Sequence, residues 1–174
     1  MKPWLLNILA CPIDKHHPLE VYFFSYETPV EEVEKLSLEA GKPSKELDDK
    51  YKLLKKQLGD GTISHASMEV ITDRSGVKAA DQLRLKTIRI LQKKGDKTTE
   101  ELDVLYRFMN LLEVREGLLL CSECGRWYPI GSSVETVPEL MPDELREREK
   151  DVGWLQKWSH VAPDRAKTGK PFSL

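Results

Sequence analysis

Cysteine is scarce in this chain, with three among 174 residues, and that scarcity excludes a disulfide-built scaffold. Long apolar runs are also missing: no stretch approaches the roughly 20 residues needed to span a bilayer. Met1 to Ala10 is too short and too weakly charged for a secretory leader, so a soluble, cytoplasmic protein with no membrane partner is expected. Excess positive charge is absent too. The net charge of −2 argues against a dedicated nucleic-acid binder, although it leaves room for local basic patches. Asn and Gln together number six, against abundant Lys and Glu, a balance of the kind found in thermophiles. There is no Gly-x-Gly-x-x-Gly, no phosphate-binding loop and no Gly-x-Ser-x-Gly elbow, and His65 and His160 stand alone. The residues supply no catalytic constellation, and a non-enzymatic role is expected.

What is present is one split motif. Cys121-Ser122-Glu123-Cys124-Gly125 is a metal knuckle, and Cys11-Pro12, followed by Asp14, His16 and His17, is a second half-site about 110 residues earlier. Two thiolates spaced by two residues reach one ion from a single tight turn, and Gly125 permits the positive φ such turns need. A redox dithiol normally opens a helix, whose N-terminus lowers the thiol pKa. Here the pair runs into Arg126 to Ile130, which reads as strand, so metal binding is favoured. The expected ligands are Cys11, Cys121, Cys124 and His16. Asp14 is the alternative to His16, because it has the knuckle spacing of three, and His17 ranks third. With no general base nearby, the metal is read as structural.

The flanking text predicts an α+β chain. An apolar turn over Trp4 to Leu9 leads into Cys11, and Leu19 to Tyr26 is strand-like. From Pro29 to Leu112 the text is charged and helical. Its predicted helices are Pro29 to Ala40, a Ser44-capped segment ending at Gly59, Val77 to Lys94, and one opened by the Thr98–Glu101 capping box. Their apolar stripes read as bundle core, and Ile63 to Asp73 is ambiguous between strand and loop. Strand resumes over Leu111 to Arg115, with a hairpin turn at Glu116-Gly117 before Leu118 to Leu120. Val134 to Met141 is extended, because Pro138 forbids helix, and Pro142 to Trp158 is a last helix. The tail from Ala162 onward is expected to be mobile. If both half-sites hold one ion, residues 1–28 and 111–174 form a small zinc-ribbon-like antiparallel β domain with a C-terminal helix, and 29–110 form an inserted helical domain. So small a sheet gains from a metal staple.

The pattern resembles the small zinc-binding activator subunits of class I methyltransferases that modify tRNA, ribosomal RNA and a translation release factor. The resembling text is Met1-Lys2 with LLNILACP, Glu116-Gly117-Leu118, CSECGRWYPI and VPELM, less than half the chain; the resemblance is to an archaeal-type member, and the long middle region leaves its own role open. The resemblance implies a non-catalytic partner in a 1:1 heterodimer, with structural zinc of its own and S-adenosylmethionine bound only by the enzyme. RNA or the release factor would be met only through that enzyme. It also implies docking by strand addition to the enzyme's sheet. Leu5, Leu6, Ile8, Trp127, Tyr128, Pro129, Ile130, Val137, Pro138, Leu140 and Met141 are the expected partner contacts, as large apolar groups on a small sheet. Many relatives carry a second cysteine three or five residues after the first, where this chain has Asp14 and His16. The rival reading is a zinc-ribbon module binding RNA or the ribosome directly. Glu113, Glu116 and Glu123 offset Arg115 and Arg126 around the knuckle, against that reading.

Overall fold

The computed structural model describes residues 1–174, and its organising element is a four-stranded sheet. The strands are β1 (Glu20–Tyr26), β2 (Ile71–Asp73), β3 (Val114–Leu120) and β4 (Trp127–Ile130), in the order β2-β1-β3-β4. β3 pairs antiparallel with both β1 and β4, and the Val21↔Leu119 register joins residues from the two ends of the chain. β2 lies parallel to β1 on the other side. The ambiguous Ile63 to Asp73 segment is thus resolved as a short helix, α3 (His65–Glu69), followed by this fourth strand. The α+β class holds, and the middle segment contributes a parallel strand to an otherwise antiparallel sheet.

The expected hairpin turn at Glu116-Gly117 is instead the middle of a continuous strand. Gly117 sits opposite a bulge in β1, and a Cβ there would come 2.6 Å from the carbonyl oxygen of Tyr22. Glycine is required for that close approach, not for a turn. The text misleads because Glu-Gly serves both purposes.

Both faces of the sheet are covered, which is why Leu118, Leu119 and Leu120 are all fully buried. One face, carrying Val21, Phe23, Leu119, Tyr128 and Ile130, shares a core with the middle helices. These are α1 (Val30–Glu39), α2 (Asp48–Gly59), α3, α4 (Lys78–Gln92) and α5 (Thr99–Tyr106). The Thr98–Glu101 capping box opens α5 as its spacing implies, and a π-helical turn over Arg107–Leu111 closes it. Buried Asp103 locks this layer: it accepts hydrogen bonds from Tyr51 Oη (2.7 Å), the Gly41 amide (2.9 Å) and Arg107 Nε (2.9 Å). A buried carboxylate is tolerated when so fully partnered.

The opposite face carries Phe24, Leu118, Leu120 and Trp127, and the C-terminal segment covers it with Trp154, Leu155, Ala162 and Ala166. The predicted last helix forms as a 3₁₀ turn (Asp143–Leu145) and α6 (Arg148–Lys157). The tail is docked instead of loose. A short α7 (Asp164–Lys167) buries Ala166, the Trp127 amide donates to the Lys170 carbonyl (3.0 Å), and Trp127 Nε1 donates to that of Phe172 (2.9 Å). Its polar composition concealed these few anchoring contacts.

Candidate metal centre and partner edge

Two tight turns with the same backbone pattern face each other at the end of the sheet. In the first, the Lys15 amide donates to the Cys11 carbonyl (2.9 Å), and the Cys11 amide donates to the His16 carbonyl (3.0 Å). In the second, the Gly125 amide donates to the Cys121 carbonyl (3.0 Å), and the Cys121 amide donates to the Arg126 carbonyl (2.8 Å). The fifth residue of each is left-handed, with φ of 62° at Lys15 and 72° at Gly125. Asp14 therefore stands where Cys124 stands, and His16 stands where Arg126 stands.

Ligating atoms of Cys11, Asp14, Cys121 and Cys124 all lie within 4.8 Å of one another. Cys11 Sγ is 3.7 Å from Cys124 Sγ, and Cys121 Sγ is 3.3 Å from Asp14 Oδ2. A tetrahedral zinc with thiolate bonds of about 2.3 Å places its sulfurs about 3.8 Å apart, and its sulfur and carboxylate oxygen slightly closer. The four donors fit such an ion. His16 lies outside the set: its Nε2 is 2.8 Å from Ser122 Oγ and its Nδ1 faces Glu123. His17 bridges the Leu9 carbonyl (2.9 Å) and Ser67 Oγ (3.2 Å), tying the first turn to α3. The structure thus gathers the second-ranked Asp14, and not the first-ranked His16, with the three thiols. The physical reason is spacing, since only the fourth residue of the turn points back at the first.

The electrostatics suit a cation. The amide of His16, then the neighbouring thiols, hold the Asp14 carboxyl well below the usual carboxylate range. Burial pushes the Cys121 thiol up to about 12, so without a positive charge it stays protonated. Metal ligation deprotonates such thiols. Tyr128 Oη lies 3.2 Å from Cys11 Sγ, linking β4 to the centre.

The sequence also marked an apolar partner surface. Trp127, Tyr128, Pro129, Ile130 and Leu6 are buried within the chain, unlike the exposed positions expected of them. The C-terminal segment covers Trp127, and Tyr128 and Ile130 face the helical layer. β4 is not an open edge either. Lys170 and Arg146 satisfy the outward N–H and C=O of Trp127, and the Glu139 amide donates to the outward carbonyl of Pro129 (2.9 Å). The open edge is one step further out. The Glu139 bond and that from the Gly131 amide to the Val137 carbonyl bracket an Ile130↔Pro138 bridge. This leaves the Pro138 carbonyl and the Leu140 amide and carbonyl without a protein partner. Beside them Val137 is 43% exposed, Leu140 and Met141 are half-buried, and Ile8 and part of Leu5 reach solvent elsewhere. Val134 and Leu145 are exposed as well, at 61% and 68%, and were not among the expected contacts.

A small sheet closed by paired metal-type turns, with a helical layer on one face, defines a zinc-ribbon-like class of α+β protein. The chain belongs to the Trm112p-like protein family, which it matches over residues 2–131. No match is found among curated proteins. No helix is long and apolar enough to cross a membrane.

Proposed function

We propose that this chain is a non-catalytic activating and stabilising subunit of class I S-adenosylmethionine-dependent methyltransferases that modify tRNA, ribosomal RNA or a release factor. The Trm112p-like family is a methyltransferase-activator family, and membership supports the reading. The observation that carries it is the unpaired outer edge at Pro138 and Leu140, with exposed Val137 beside it. Such an edge supplies main-chain hydrogen bonds to a partner strand, and alternate side chains supply the fit. Residues 1–28 and 111–174 form the docking unit on this reading, residues 29–110 the insertion, and the complex is a cytoplasmic 1:1 heterodimer.

Cys11, Asp14, Cys121 and Cys124 hold one structural zinc in this proposal. The ion supplies a cross-link between the two ends of the chain, and the residues around it keep the rim strand in register. Co-expression with the methyltransferases of the source cell tests the proposal. A stable 1:1 complex is expected, and Leu140→Pro should disrupt it without unfolding the chain, since the lost N–H has no internal partner. Recovery of ribosomal proteins or RNA with no methyltransferase would overturn it. In the same preparations His16→Ala should keep its zinc, and loss of the ion there would move the ligand assignment.

A further inference from the structure

Charge is distributed very unevenly. Lys50 to Lys97 contains twelve lysines and arginines against five aspartates and glutamates, a net of +7, so the rest of this −2 chain carries −9. The excess lies on α2, α4 and the loop after α4. Every exposed residue of α4 is basic or uncharged: Lys78, Gln82, Leu85, Lys86, Arg89 and Gln92. Their spacing puts them along one face, about 22 Å long for a helix of 15 residues. Lys93 and Lys94 continue the stripe, and Lys55 approaches it from α2 through its ion pair with Asp96 at 3.2 Å. Lys56, Lys78, Lys86, Arg89 and Lys94 pair with no carboxylate. Between the end of α2 and the loop lies a cleft of about 470 Å³, lined by Lys55, Lys97, Asp96, His65, Ser64 and three glycines. α1 bounds the region with an acidic face bearing Glu31, Glu32 and Glu34.

We infer that this end of the helical segment is an RNA-backbone contact surface. Unpaired lysines and arginines in a row suit a chain of phosphates, which they bind by releasing condensed counterions. A protein partner is a poorer match, because the stripe offers Leu85 alone as an apolar anchor. A lipid surface is poorer still: the apolar side of α4, with Ala80, Leu83 and Leu91, is spent in the core. The choice of RNA among polyanions rests on the methyltransferase reading above. The surface gives that enzyme's substrate a second hold on the complex, away from the rim strand.

The test is fluorescence anisotropy of a labelled tRNA transcript with the full chain alone, at about 50 and about 200 mM salt. It is therefore independent of whether an enzyme co-purifies. The Lys86→Glu/Arg89→Glu/Lys94→Glu variant is expected to bind at least about tenfold more weakly, with a salt slope shallower by about 2. A control with the same charge change outside the stripe, Lys35→Glu/Lys42→Glu/Lys45→Glu, should change affinity by less than about twofold. Circular dichroism checks the fold, and Lys86→Ala/Arg89→Ala replaces the triple variant should it misfold. Any one of four results overturns the inference: no tRNA binding by the unaltered chain, equal losses in both triple variants, equal affinity for duplex DNA of the same length, or capture by phosphatidylserine vesicles without tRNA binding.

Discussion

The two turns at the end of the sheet share a hydrogen-bond pattern and a left-handed fifth residue, yet they differ at the fourth and fifth positions, where the turn is most demanding. The second turn has Cys124 and Gly125, the residues such a turn prefers. The first has Asp14 and Lys15 in the same places. The backbone is therefore set by the turn, and the side chain that faces the other thiols is whatever the fourth position supplies. The histidine two residues further on, chemically a better partner for thiolates, turns its ring to Ser122 and Glu123 instead.

Four substitutions probe that pairing. The largest effect is expected from Cys121→Ser, which removes a buried thiol from the well-formed turn. Zinc measured by elemental analysis should fall from one per chain to near zero, and chemical unfolding should show a loss of more than about 3 kcal/mol. Full zinc retention would break the comparison, because the two turns would no longer share an ion. Next comes Asp14→Cys, which makes the first turn chemically like the second. Competition with a chelator should show zinc held about tenfold or more tighter, as a softer thiolate replaces a carboxylate. Unchanged affinity would mean that Asp14 is a bystander. The smallest effects are in the backbone. Gly125→Ala should cost about 1 kcal/mol and Lys15→Gly should return about 0.5 kcal/mol, both by thermal unfolding. A Cβ at Gly125 meets nothing within 4 Å, so its cost is one of φ alone. Equal signs for the two changes would show that the turns are not equivalent.

Much of this was legible in the text. The split knuckle, the helices of the middle segment and the strands around Leu19 and Arg126 follow from spacing and periodicity, which are local. The three thiols assembled as their spacing implies. What the text concealed depends on partners distant in sequence. Gly117 reads as a turn residue until the β1 backbone is placed against it. Trp127, Tyr128 and Ile130 read as surface because nothing in their own neighbourhood announces the C-terminal segment or the helical layer that cover them. Asp14 was legible by spacing and outweighed by ligand chemistry, and in a turn this tight geometry is the stronger constraint.

The cover over Trp127 bears on where the chain can be divided. The family match stops at residue 131, but the residues that shield Leu118, Leu120 and Trp127 from water come after it. Arg146 and Lys170 also complete the outward hydrogen bonds of β4. A fragment cut at residue 131 would present a raw tryptophan face and an unpaired strand, both prone to self-association. A piece of this protein that keeps the sheet covered is therefore longer than the part the family match spans.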